Sequence, residues 1–220
     1  MGKSLIVWCV LLLACLGGVV FAEGYVGVGG GVFLPNSEEP GLEDFDAGMH
    51  GELVFGYKVH PLVALELGLG RYEAEYTDSF WLGDCPDYPC VIGYQDTYDV
   101  RVMPVTFTAK YLLQGGERFT FYVGCGVGYY FTRVETEHVD IIAYADGSRS
   151  EERLSSSQTE DAFGFHVTTG CDIVFTENFC LGCDARWARV EPSYDWGYPL
   201  KSEDVELGGF MLGVNLKYMF

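Results

Sequence analysis

Residues 206–220 read ELGGFMLGVNLKYMF, and the fold turns on how that stretch alternates. Counting back in twos from Phe220 gives Tyr218, Leu216, Val214, Leu212 and Phe210. The other set is Met219, Lys217, Asn215, Gly213, Met211 and Gly209. A period of two puts one set on each face of a strand, the first apolar and aromatic, the second small or polar. In a soluble protein the apolar face would press on a core. Here the strand closes on an aromatic side chain with no polar tail to shield it, an edge that invites aggregation in water. Lipid is the other environment that suits such a face.

The same alternation recurs in seven earlier stretches, 24–34, 49–59, 62–72, 98–113, 118–133, 161–175 and 179–190. Short connections at 60–61, 114–117 and 176–178 alternate with long ones at 35–47, 73–97, 134–161 and 190–206. An even number of strands with turns at one end and loops at the other is the pattern of an outer-membrane barrel. The runs suit the ~9–11 tilted residues that cross a bilayer, and past the N-terminus none reaches the ~18 apolar residues of a spanning helix. Outward aromatics gather near the short turns (Tyr57, Tyr111, Phe119, Phe175, Phe179, Tyr218, Phe220). A second group lies near the long loops (Tyr129, Phe131, Phe163, Trp187), giving two girdles.

The start reads as targeting: Lys3, an apolar run over 5–16, then Val20-Phe21-Ala22 as a cleavage site. This predicts a cleaved signal peptide over 1–22 and a single β-barrel domain over 23–220. An uncleaved anchor and acylation of Cys15 are the competing readings. Export favours disulfides, and Cys85 and Cys90, flanking Pro86-Asp87-Tyr88-Pro89, are expected to form one. Cys180 and Cys183 form a CxxC, but a spacing of three on a strand sends them to opposite faces. Register over the 176–178 turn pairs Cys171 with Cys183 on the lipid side, where free apolar thiols are expected, with a cross-strand disulfide as the competing reading.

The inward face decides between a membrane barrel and a soluble lipocalin-like one, which would carry its charges outside. By parity it holds Glu52, Glu66, Asp172 and Asp184 with Lys58, Lys110, Arg118, Arg186 and Lys217. Four acids against five bases make a nearly balanced network, as the polar lumen of a small membrane barrel needs. Among them lie many glycines, expected to ease curvature and leave room for larger side chains. His166 also points inward, with Asp172 or Asp184 as its expected partner. His166 and Thr168 lack a neighbouring serine, so no catalytic residue is assigned; a lipid A-modifying enzyme is the weakest alternative.

The net charge of −19 argues against nucleic acid as a partner. Twenty-four of the thirty-two Asp and Glu fall in the four long connections, which predicts solvation and, as a sharper expectation, divalent cations bridging to lipopolysaccharide phosphates. Arg71, Arg101, Arg133 and Arg189 fall on the lipid side at the loop end and are candidate headgroup contacts. The competing reading pairs them with Glu73, Asp99, Glu135 or Glu191.

The aromatic last strand, the glycine-rich first strand, MPVTFTAKYLL at 103–113 and GCGVGYYF at 124–131 together resemble the small eight-stranded outer-membrane β-barrel family, the OmpA/OmpX/OmpW-like group. The resemblance covers nearly the whole mature chain. It implies that Tyr218 and Phe220 are the signal read by the barrel-assembly machinery. The combined expectation is an all-β, eight-stranded antiparallel up-and-down transmembrane barrel in a bacterial outer membrane. It is expected to be monomeric and non-enzymatic, without cofactor or metal, and to have a surface or envelope-integrity role. A narrow channel for small or hydrophobic solutes is the main alternative.

Overall fold

The computed structural model describes residues 23–36, 45–84, 90–116, 118–144, 148–194, 203–204 and 207–220. The expected signal peptide and Cys85 lie outside them, as does the side chain of Cys90. Among the described residues there are ten strands. In chain order they are β1 (Gly24–Pro35), β2 (Gly48–His60), β3 (Val63–Asp84), β4 (Cys90–Gln114) and β5 (Phe119–Tyr144). Then come β6 (Arg149–Val174), β7 (Phe179–Val190), the two-residue β8 (Ser193–Tyr194) and β9 (Glu203–Asp204), and β10 (Gly209–Met219). Strands β8 and β9 pair only with each other; the other eight form a closed antiparallel barrel in the order β1-β10-β7-β6-β5-β4-β3-β2.

Closure runs through β10, the alternating aromatic strand at the end of the sequence. Register pairs Val26 with Tyr218, Val28 with Leu216 and Val32 with Leu212, and Gly24 and Phe220 exchange two backbone hydrogen bonds. No edge is left within the barrel wall. Burial is inverted relative to a soluble protein. Val28, Phe55, Phe107, Val127, Phe163 and Val214 are exposed on the outside, Phe163 to 80% and Val214 to 63%. Glu66, Lys110, His166 and Lys217 are buried inside at 6% or less. Only lipid makes that distribution favourable, since apolar surface left in water costs roughly 25 cal/mol per Å².

The connections expected over 73–97 and 134–161 are largely strand instead. β3 and β4 continue to Asp84 and from Cys90 with one register shift between Trp81 and Gly83, and β5 and β6 continue to Tyr144 and from Arg149 in unbroken register. Residues 134–144 alone add roughly 35 Å of strand. The result is a four-stranded sheet, β3-β4-β5-β6, standing beyond the barrel. Strand β2 pairs with β3 only as far as His50–Tyr72, and β7 with β6 only as far as Gly164–Val190. One flank is therefore the far part of β6, where Arg149, Glu151, Glu152, Arg153 and four serines occupy the edge. Charge and polarity there discourage pairing with other chains.

Candidate functional site

Two regions concentrate chemistry: the barrel interior and the projecting sheet. In the interior the predicted charges resolve into separate pairs. Arg186 on β7 reaches across the lumen to Glu52 on β2 with two hydrogen bonds, of 2.7 and 3.0 Å. Lys110 pairs with Glu66 at 2.6 Å, and Tyr25 donates a further hydrogen bond to Glu66 at 2.6 Å. Lys217 donates to both oxygens of Asp172, at 2.8 and 2.7 Å. Asp184 accepts from Asn215 at 2.9 Å, and Lys58 pairs with Glu23 at the short-turn end. Ammonium groups also sit over rings, Lys110 at 4.1 Å and Lys217 at 5.1 Å from the Tyr122 centroid.

Glycine placement explains how these pairs form. Register puts Gly56 between Tyr25 and Glu66, and Gly126 between Thr108 and His166. In each case the flanking side chains meet over the bare strand. A Cβ on Gly56 would collide with the Tyr25 ring, and one on Gly126 would come within 2.6 Å of the His166 ring. The glycines make space that neighbouring side chains then fill.

Two expectations change here. Arg118 lies outside strand β5, exposed at the turn, and is absent from the interior network. Parity was carried one residue beyond the strand, where the backbone no longer alternates. His166 bonds Thr108 at 2.8 Å rather than an aspartate, because Asp172 and Asp184 are taken by Lys217 and Asn215.

Sequence reasoning missed one layer. At the loop end the interior turns apolar: Phe33, Tyr72, Val102, Tyr130, Val134 and Met211 belong to one buried cluster, all at 7% exposure or less. Phe33 and Tyr72 rings lie 4.5 Å apart. The signal was available, because the inward positions of β3 to β5 change from glycine and charge to Tyr72, Ala74, Val100, Val102, Tyr130 and Val134.

Outside, the four candidate headgroup arginines hold neighbouring acids. Arg71 pairs with Glu73 at 2.8 Å, Arg101 with Asp99 at 2.5 Å, Arg133 with Glu135 at 2.7 Å and Arg189 with Glu191 at 2.6 Å. Each partner is two residues away along the chain, on the same strand in the first three cases and just past the end of β7 for Glu191. Above them Glu75, Asp99 and Glu135 stand side by side across three strands, along a groove of about 440 Å³. Among the described residues no group of three or more His, Cys, Asp or Glu is arranged to hold a metal. Cys171 and Cys183 face each other with sulfurs 3.3 Å apart, both free, while Cys180 is buried on the opposite face from Cys183.

On the inner face of the sheet, Tyr76 stacks with Tyr98 at 6.0 Å, and Phe80 packs with Tyr94 at 5.9 Å. His138 sits 5.9 Å from the Tyr94 ring and contacts Asp96 at 2.5 Å and Asp140 at 3.4 Å. The hydrogen bond to Asp96 holds the His138 imidazolium above the usual histidine range, against an opposing effect of burial.

A family model described as "Outer membrane protein beta-barrel domain" matches residues 9–220. Comparison with curated protein sequences gives no match. Among solved structures the chain is similar to the outer membrane protein OprG from Pseudomonas aeruginosa, with a TM-score of 0.56 at 15% identity, covering 90% of this chain and 96% of that one. It is also similar to Neisserial surface protein A, with a TM-score of 0.50 at 14% identity, covering 90% and 97%. At such identities the likeness concerns the fold.

Proposed function

The chain belongs to the outer membrane protein β-barrel domain family and resides in the outer membrane, and from that premise we propose a non-enzymatic surface and envelope role. In it a sealed barrel anchors a rigid β-sheet above the membrane. The observation that carries this reading is the filled interior. An apolar layer around Phe33, Tyr72, Tyr130 and Met211 caps the ion pairs Glu52–Arg186, Glu66–Lys110 and Asp172–Lys217. A hydrated ion would have to shed water into the apolar layer and then part paired charges, at several kcal/mol for each step. The Thr108–His166 pair lies in the same buried interior, away from the lipid-facing surface, which supports a non-enzymatic role.

Reconstituted protein in planar bilayers should therefore show no unitary conductance steps. Stable single-channel openings of the unmodified protein would replace this reading with the narrow-channel one.

The arginine belt supports a second element, contact with lipopolysaccharide phosphates where the wall leaves the bilayer. Phosphate must compete with carboxylates already in place, and each exposed pair is worth only about 0.2–1 kcal/mol. Replacing Arg71, Arg101, Arg133 and Arg189 together by alanine should weaken lipopolysaccharide binding about tenfold, the sum of four such contacts. Equal affinity for the variant and the parent would sink this element. Phe220, paired with Gly24 in the closing seam, keeps its proposed part as the assembly signal.

A further inference from the structure

The inner face of the projecting sheet carries a pattern that neither anchoring nor sealing the barrel requires. Register arranges it in rows. Tyr76 and Tyr98 form the lowest row, directly opposite each other. Asp78 and Asp96 form the next, followed across the sheet by His138. Phe80 and Tyr94 form the third, continued by Asp140 and Glu152. A pair of carboxylates is thus bracketed above and below by aromatic rings.

Like charges directly opposite on neighbouring strands destabilise a sheet unless a cation relieves them, and of this pair His138 reaches Asp96 and not Asp78. Phe80, at 54% exposure, also leaves a large aromatic surface open, as a ring platform for an incoming group would. We propose that this face docks an extended basic peptide segment, with lysine or arginine side chains seated over Asp78 and Asp96 between the two rows of rings.

Two features favour this occupant. A cation over a ring and beside a carboxylate gains from both, by about 0.5–1 kcal/mol for the ring at an exposed site. His138 already shows the arrangement from within the chain, since its imidazole lies between Asp96 and Asp140 against the Tyr94 ring. The second feature is spacing. Successive rows on one face of a strand are about 7 Å apart, the interval between alternate side chains of an extended peptide. A second opposed carboxylate pair, Asp140 and Glu152, lies one row higher and two strands across, so a peptide crossing the sheet obliquely meets it with a later residue of the same side. A single small amine would fill one such position.

The inference rests on the reading that the sheet stands outside the membrane. A protease site inserted after Asp146 tests that separately, because cleavage on intact cells places the sheet at the surface. If it stays uncut there, the location has failed; if it is cut but no peptide binds, only the docking inference has failed.

Docking itself is read with the full barrel in nanodiscs and a fluorescein-labelled ten-residue peptide of alternating lysine and alanine, by polarisation. Saturable binding is expected, and Asp78→Asn with Asp96→Asn should weaken it at least tenfold. Tyr76→Ala with Tyr94→Ala should do the same with the charges intact. Glu75→Gln with Glu135→Gln, on the outer face, should leave the affinity unchanged. Equal losses from inner-face and outer-face carboxylates would mean general attraction to an acidic protein and would overturn the proposal. So would competition by spermidine as effective as unlabelled peptide, which would make the site one for a small amine. Each variant keeps its heat-dependent gel shift if the barrel is folded, which separates lost binding from lost structure.

Discussion

Lys110→Met should cost the barrel about 3 kcal/mol in stability, the largest loss expected from any single charge in the interior. Glu66 is 2% exposed and Lys110 6%, and the two meet at 2.6 Å, so neither has water as a substitute partner. Removing the ammonium leaves a buried carboxylate with only the Tyr25 hydroxyl at 2.6 Å. An uncompensated buried charge is typically worth 3–5 kcal/mol, and the ammonium of Lys217, 5.6 Å from the Tyr25 ring, keeps the loss near the lower end at about 3. The double variant Lys110→Met with Glu66→Met should recover most of that, because replacing both partners removes the desolvation cost along with the attraction. Urea unfolding in lipid vesicles, followed by tryptophan fluorescence, measures both. A single variant as stable as the parent would show that the pair is not desolvated in the membrane, and the filled-interior argument would lose its energetic basis.

What could be read in the sequence divides along a physical line. Inside the bilayer one face of each strand must be apolar, so alternation marks strands and facing together. The strands ending at Pro35, His60 and Val190 accordingly stop within a residue of their expected ends. Beyond the bilayer that constraint disappears. Residues 73–84 and 134–144 are strand with polar groups on both faces, and a sequence such as Val134-Glu135-Thr136-Glu137-His138 looks like a loop when only amphipathicity is counted. Its β-branched and aromatic content was the remaining clue.

The interior followed the same logic. Parity names the inward charges but not their partners, since pairing across a lumen depends on strand tilt and stagger. Glu52 and Arg186 meet although β1 and β10 separate their strands, and nothing local to either residue marks the other. The apolar cap was legible residue by residue. Amphipathic parity alone does not reveal it, because parity assigns a side chain to the inner face without saying at which height of the barrel that face turns apolar.

Gly56→Val should be the most damaging of the neutral substitutions, at about 3 kcal/mol, the upper part of the usual range for overpacking. Register fixes Gly56 between Tyr25 and Glu66, and the hydrogen bond joining those two passes over it. A Cβ at position 56 would fall within the Tyr25 ring, which is 7% exposed and held at its hydroxyl by Glu66. The ring cannot swing away without giving up that bond, and Glu66 then keeps Lys110 as its one direct partner among those described, with Lys217 farther off. Three effects share that cost: steric overlap, a lost hydrogen bond to a charged group, and weaker compensation of a buried carboxylate. Tyr25→Phe isolates the second, and should cost about 1.5–3 kcal/mol, the worth of a hydrogen bond to a charged group. Tyr25→Ala introduced beside Gly56→Val removes the overlap, so the double variant should be more stable than the sum of the two single losses predicts. Strict additivity in that cycle would mean that Gly56 does not make room for Tyr25. The inward glycines would then owe their place to strand curvature alone.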